Sequence, residues 1–264
     1  EIYQCDWSSD VCSSDLSTTL TKAGAGVLSL SAANPYGGNT TISAGTLKLA
    51  GTGSLSSGSY TANVTVSSGA LLLDSSSTDQ TFSGVISGGG RVEKDTSTSV
   101  MTLSGNNTFT GKVTVNAGTL VVKHNNALGT VAGGVTIGSG ATVDLQNVSI
   151  GAEAVTLNGG TLKVSTGASS LDGNVTLGLA STFTVSGTSL TVNGVINDNS
   201  NGLTLNGPGS FTLSNTSNTI DTLLTASTLG GLTLNNSLAL NVGEITSTDA
   251  VTIVNTAALD RKST

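Results

Sequence analysis

Between Ser17 and Leu259 the chain contains no cysteine. Its two cysteines, Cys5 and Cys12, both lie within the first sixteen residues. Charged residues make up only 9% of the chain, against roughly a quarter in an average globular protein. Phosphate binding requires clustered Lys and Arg, so seven scattered bases (Lys22, Lys48, Arg91, Lys94, Lys112, Lys123, Lys163) argue against a nucleic-acid partner. Aromatics stand at 3%, and there are two prolines and one histidine. No apolar run approaches the ~20 residues of a membrane helix, and no stretch keeps helical periodicity over three turns. What remains is Ser, Thr, Asn, Val, Leu, Ile and 35 glycines. The apolar residues alternate with Thr, Ser and Asn in short runs, which is a strand signal and not the pattern of a disordered chain.

The two ends differ from this composition. The stretch EIYQCDWSSDVCSSDL carries both cysteines and the only tryptophan, Trp7. VCSSDL can be encoded by GTGTGCTCTTCCGATCT, whose reverse complement in another frame encodes Asp-Arg-Lys-Ser-Thr, the sequence of Asp260–Thr264. A DNA fragment with one adapter ligated to both ends gives this pairing, and Cys5–Leu16 is similar to a translated short-read sequencing adapter. Residues 1–16 and 260–264 are therefore read as adapter-derived and set aside. Residues 17–259 are read as a natural segment cut at both ends. A redox or disulfide reading of Cys5 and Cys12 is thereby void. The ends hold Glu1, Asp6, Asp10, Asp15, Asp260, Arg261 and Lys262, so the net charge of −7 becomes −4 for the segment.

An internal repeat organises the segment. Met101–Val122, MTLSGNNTFTGKVTVNAGTLVV, aligns without gaps on Leu28–Leu49, LSLSAANPYGGNTTISAGTLKL, with Leu30/Leu103, Asn34/Asn107, Gly38/Gly111, Thr41/Thr114 and Ala44–Leu47/Ala117–Leu120 identical. A three-residue motif, β-branched or apolar, then Thr, then apolar, recurs from Thr40, Val64, Val113, Val135, Val155 and Val175. Its spacings are 24, 49, 22, 20 and 20 residues, the long one counting as about two units. A second strand follows each. Beyond residue 190 the spacing loosens, but Leu203–Leu205, Leu232–Leu234 and Val251–Ile253 continue the pattern.

An antiparallel sandwich has no reason to hold unit length constant over this many units. A parallel β-helix does, because each coil must lie in register on the one before. The expectation is an all-β, parallel β-helix (solenoid) of about 20–24 residues per coil. About eleven coils at ~4.8 Å would make a rod on the order of 50 Å long. Val, Ile and Leu should form interior columns, and Thr should face outward. Gly45, Gly118 and Gly160 are placed at bends, and Asn34 and Asn107 in a stacked turn ladder.

Leu20–Leu49, LTKAGAGVLSLSAANPYGGNTTISAGTLKL, resembles the autotransporter-associated β-strand repeat, also called the passenger-associated transport repeat. The residues that fill the pattern are Lys22, Gly24, Gly26, Leu28, Leu30, Asn34, Tyr36, Gly38, Thr40, Ile42, Gly45 and Leu47. A second copy spans 84–122, with Lys94 in the lysine position and Asp95–Ser99 replacing the Gly-x-Gly spacer. The resemblance implies a right-handed β-helical passenger of a Gram-negative type V secreted protein. Such a passenger sits at the cell surface, attached to the outer membrane through a barrel outside this segment, and assists its own vectorial export. It implies no catalytic residues.

A search for chemistry finds little. His124 sits in Lys123-His124-Asn125-Asn126 as a turn residue. Asp74, Asp79, Asp144, Asp172, Asp198 and Asp221 share no repeat phase and are read as isolated. Glu93, Lys94 and Asp95 are read as a solvated loop. Gly24-Ala25-Gly26 and Gly207-Pro208-Gly209 precede no helix and are read as turns. Tyr36 and Phe109 share a repeat position, as packing over a coil corner or, alternatively, as a sugar-binding platform. No catalytic, cofactor or metal site is assigned, and no enzyme is expected. Asp144 and Asp172 are the acids on which a polysaccharide-degrading alternative would rest. Glycans or proteins of host or sibling cells, met by outward Thr/Asn/Ser ladders, are the expected partners of an adhesin alternative.

Overall fold

In a computed structural model, which describes residues 19–95, 99–257 and 259–260, the chain is all-β and winds as a parallel β-solenoid. It makes about 11 turns of about 21 residues each. The adapter-like residues 1–16 and 261–264 lie outside the described residues. The last strand, Leu259–Asp260, runs one residue into that C-terminal stretch and pairs with Leu240–Asn241. Among the described residues no helix is long and apolar enough to cross a membrane.

Three faces form the walls. The first begins as a four-stranded sheet (Leu20–Lys22, Thr40–Ile42, Val64–Val66, Ile86–Ser87). At the same point of later coils it continues as a six-stranded sheet running from Ser149–Ile150 to Val251–Asn255. A nine-stranded sheet makes the second face, from Val27–Leu30 to Ile196–Asn197, and an eleven-stranded sheet the third, from Ser59–Tyr60 to Leu259–Asp260. All strand pairs are parallel, for example Val113↔Val135↔Val155↔Val175. Past residue 219 the coil shortens to two faces, and pairs such as Thr222↔Asn241 and Leu232↔Val251 are 19 residues apart. The loosened spacing beyond residue 190 comes mainly from the motif changing face, from Val175 on the second to Leu203 on the third and Leu232 on the first, and only the step from Leu232 to Val251 reflects the shorter coil.

The repeated cassette is one turn plus an overlap. Its first strand lies directly beneath its last: Leu28↔Leu47 and Leu30↔Leu49 in one copy, Met101↔Leu120 and Leu103↔Val122 in the other. The two copies occupy different faces, however. Leu28–Leu30 and Leu47–Leu49 lie on the second face, and Met101–Leu103 and Leu120–Val122 on the third. The 49-residue gap has the same origin and is not two plain units. It comprises 22 residues from Val64 up to Ile86 on the first face, six along the coil to Val92 on the second, and 21 up to Val113. Any face can accept the motif because all three ask for the same alternation of inward apolar and outward polar residues.

The interior is filled by the expected columns. Ile42, Leu47, Leu72, Val115, Ile137, Leu157, Leu177 and Leu205 are fully buried, each worth about 1.5–3 kcal/mol relative to exposure. Outward on the second face runs Thr114–Thr136–Thr156–Thr176. Gly45 and Gly118 make the expected bends with φ of +69° and +74°, but at the third position the left-handed residue is Gly159, not Gly160. Gly160 instead gives room to Ile137, whose Cγ2 would lie 2.5 Å from an added Cβ.

Gly45 carries two constraints: its positive φ, and a Cβ position only 2.3 Å from the Gly26 carbonyl oxygen of the coil below. Gly24 has the positive φ alone, with open space around it. Gly24→Ala should therefore cost only the backbone strain, about 1 kcal/mol, and Gly45→Ala clearly more. Chemical denaturation of the two variants, compared by midpoint at constant slope, checks the order.

Candidate functional site

The inward columns are not purely apolar. On the second face the column runs Leu49↔Asp74↔Lys94↔Val115, so a carboxylate and an ammonium stack on adjacent coils inside the rod. Asp74 is 0% and Lys94 1% exposed, with Nζ 3.8 Å from Asp74 Oδ2. Lys94 Nζ donates to Ser99 Oγ, Ser99 Oγ to the Ser76 carbonyl, and the Ser76 amide to Asp74 Oδ1. Burial raises the Asp74 carboxyl, and the Lys94 charge pulls it back down. Burial lowers the Lys94 ammonium, against the raising charge of Asp74. This corrects the reading of Glu93, Lys94 and Asp95 as a solvated loop: Arg91–Lys94 is a strand, and alternation turns Lys94 inward while Glu93 stays half-exposed. The equivalent Lys22 solves the same problem without a carboxylate, its Nζ donating to the carbonyls of Ala23, Gly24 and Ala44.

The acids are also less isolated than their sequence phases suggested. Asp198, 1% exposed, accepts from the amides of Ser200, Asp221 and Thr222. The Ser200 hydroxyl donates to Asp221. Burial raises the Asp198 carboxyl against those amides, while the Ser200 hydroxyl, then that of Thr222, lowers Asp221. Asp144, 4% exposed, accepts from the Ser165 amide and hydroxyl and from Gln146. Asp172 is exposed and accepts from Asn193. These two acids have separate partners and are not brought together. Among the described residues no group of three or more His, Cys, Asp or Glu side chains could hold a metal ion.

Other expected placements divide. His124 is in a turn, its Nδ1 accepting from the Asn126 amide. Tyr36 does not stack on Phe109. It meets Tyr60 edge-on at 5.9 Å, Tyr60 meets Phe82 at 6.1 Å, and Phe109 is fully buried in the core. Tyr36 and Tyr60 both hydrogen-bond the Thr40 hydroxyl, and burial drives the phenol of Tyr36 above its usual range. Asn107 ties three coils, its Oδ1 accepting from Ile86 and its Nδ2 donating to Ala127, 21 and 20 residues away. Asn34 makes only a local bond to Ala32 and no ladder. Asn218 likewise joins Ile196 and Asn235, and Asn236 exchanges two bonds with Ile220 and donates to Asn255.

One residue gave no signal in the sequence. Glu153, in Gly151-Ala152-Glu153-Ala154, is 2% exposed. Burial pushes its carboxyl up to about 7, against a lowering bond from the Gly134 amide, and its Oε1 has no hydrogen-bond partner. It lines a cleft of about 390 Å³ with Asn106, Asn125, Asn126, Thr130 and Ile150. The cleft lies where the first face lacks strands, between Ile86–Ser87 and Ser149–Ile150.

Among comparisons with known proteins, the family model of the passenger-associated-transport-repeat matches residues 20–49 and 96–122. The first segment coincides with the copy read from sequence. The second begins at residue 96, so the Gly84–Gly90 lead-in and Lys94 fall outside it. Residues 20–49 and 96–122 are thus each similar to the passenger-associated-transport-repeat. No match is found among curated proteins or among solved structures.

Removing one partner of a buried ion pair leaves the other charged and unpaired, so Asp74→Ala should cost about 3–5 kcal/mol. The double replacement Asp74→Leu with Lys94→Val continues the apolar column and should be neutral or stabilising. Urea denaturation of both decides it. For Glu153 the folded carboxyl holds its proton to about 7 and the unfolded one to 4.5. Its contribution is therefore fully present below pH 4.5 and is lost as pH rises through 7. The melting temperature of Glu153→Gln should accordingly match the parent near pH 4 and exceed it at pH 8.

Proposed function

Because two segments of one parallel solenoid are similar to the passenger-associated-transport-repeat, we propose that the chain is a structural stalk segment of an autotransporter passenger. Its role is to stand at the cell surface of a Gram-negative bacterium and to assist its own export by folding coil upon coil. The observation that supports this reading is the continuity of the ladder. Strand pairings link each coil only to the coils directly before and after it, from Leu20–Lys22 to Leu259–Asp260.

A coil emerging from a membrane therefore finds backbone partners for one edge in the coil already folded outside and offers its other edge to the coil that follows. Stability accumulates as nearest-neighbour increments. Each added turn buries its Val, Leu and Ile against the previous one, which makes retreat of the chain costly. The second face offers columns of small hydroxyl residues such as Thr114–Thr136–Thr156–Thr176 to solvent. Charge enters this outward column only at Lys48 and Glu93.

The test places residues 17–259 between a secretory leader and an outer-membrane barrel in a Gram-negative host and shaves intact cells with protease. The parent segment should reach the surface as a protease-resistant band. Leu120→Asp, which puts an unpaired charge in the core, should reduce the surface-exposed fraction several-fold and leave chain in the periplasm. Equal surface display of both forms would remove folding from the export step.

A further inference from the structure

We propose that the cleft between the strands Ile86–Ser87 and Ser149–Ile150 is a binding site for a neutral sugar ring, held by Glu153, Thr130 and the amides of Asn106, Asn125 and Asn126. The site is separate from the outward Thr columns and from the stalk role. Elsewhere on the first face consecutive coils are knitted by strands. Here two coils, through Asn107–Thr110 and Ala127–Thr130, carry none and are joined instead by single bonds such as Thr108 to Ile86 and Thr130 to Phe109, and the cleft lies beside them.

Among the described residues, four buried side-chain oxygens lack a hydrogen-bond partner: Asp74 Oδ2, Thr130 Oγ1, Glu153 Oε1 and Thr219 Oγ1. Asp74 Oδ2 has the Lys94 charge beside it. Of the remaining three, two belong to residues that line this one cleft, Thr130 and Glu153. Buried polar atoms are nearly always satisfied, so two orphans in the wall of one cleft mark a place that a small rotation of Glu153 or Thr130 would let a group from outside the chain complete.

The lining selects the ligand. Asparagine amides supply donors and acceptors at the mouth: Asn126 Nδ2 donates to Asn106 Oδ1 and keeps one hydrogen free, while Asn125 Oδ1 is taken by the Ser149 amide and its Nδ2 is left to donate. A carboxyl and a hydroxyl lie deeper. Leu128, Val131 and Ile150 give an apolar wall, with Val131 58% exposed. No Lys or Arg lines the cleft, so an anion such as phosphate or a uronate would meet Glu153 without compensation. One carboxyl is too few for a calcium site, which takes six to eight oxygens with several carboxylates. A pyranose matches what is left: vicinal hydroxyls that donate to Glu153 and accept from Asn amides, and a C–H face for the apolar wall. The volume of about 390 Å³ is in the range of small-molecule sites and suits one or two rings.

The experiment is saturation-transfer NMR and calorimetry on the full chain, titrated with glucose, galactose, mannose, N-acetylglucosamine, cellobiose and lactose. Glucuronic acid, inorganic phosphate and glucosamine serve as charged controls. At least one neutral sugar should bind saturably with a Kd on the order of 1 mM, and the anions should not. Glu153→Ala should weaken that binding about tenfold or more. Asn126→Ala at the exposed mouth should weaken it with an unchanged circular-dichroism melt, and Thr136→Val on the outward column should leave it intact. No saturable binding by any neutral sugar, binding by glucosamine alone, or binding that survives both cleft variants would each overturn the proposal.

Discussion

Each strand of this protein pairs with strands of the coil before and the coil after, and within a coil the backbone bonds only across tight turns such as Ala70 to Ser67. Every other regularity follows from that constraint. For the amides of one turn to meet the carbonyls of the next, the turns must have nearly equal length, and about 21 residues per turn holds along the chain. Register then stacks like upon like, as in Val113, Val135, Val155 and Val175, and the apolar columns form without any long-range sequence signal beyond the repeat. Bends must be tight enough not to push coils apart, which is why an added Cβ at Gly45 would meet the Gly26 carbonyl beneath it.

The same stacking sets the terms on which polar groups enter the interior. A side chain pointing inward has neighbours mainly from the coil above and the coil below, so it must find its partners there. Asn107 does so with one amide group bonded in both directions. Lys94 does so with a carboxylate in the next rung, and Lys22 with carbonyls at a corner. Asp198 gathers backbone amides from the following coil. In each case a polar residue fixes the vertical order of particular coils, where stacked valines would tolerate slippage by a turn.

Outward, the coils present columns such as Thr114–Thr136–Thr156–Thr176, half-exposed and in near-repeating order. Chemistry requires a departure from the repeat. The chain shows one where the first face loses its strands for two coils and the buried, unpartnered carboxyl of Glu153 sits in the wall of a cleft. The structural role and the cleft are thus compatible: the repeat supplies stiffness, and its interruption supplies a concavity.

Composition and periodicity were enough to determine the architecture. Alternation of apolar and polar residues fixes strands, near-constant spacing fixes stacking, and the Ala44–Leu47 and Ala117–Leu120 matches mark turn and strand. All of these are local properties of the chain. Which face each strand occupies was not legible, because the three faces pose identical demands and the motif slides from one to another between Val64 and Val113. Nor was the fate of the charged residues: Lys94 looked like a loop residue beside Glu93 and Asp95 until coil stacking put Asp74 beneath it. Glu153 gave no sign at all. A carboxyl acquires its burial, its raised proton affinity and its cleft largely from residues about 20 to 50 positions away, and those distances close only when the coils are laid on one another.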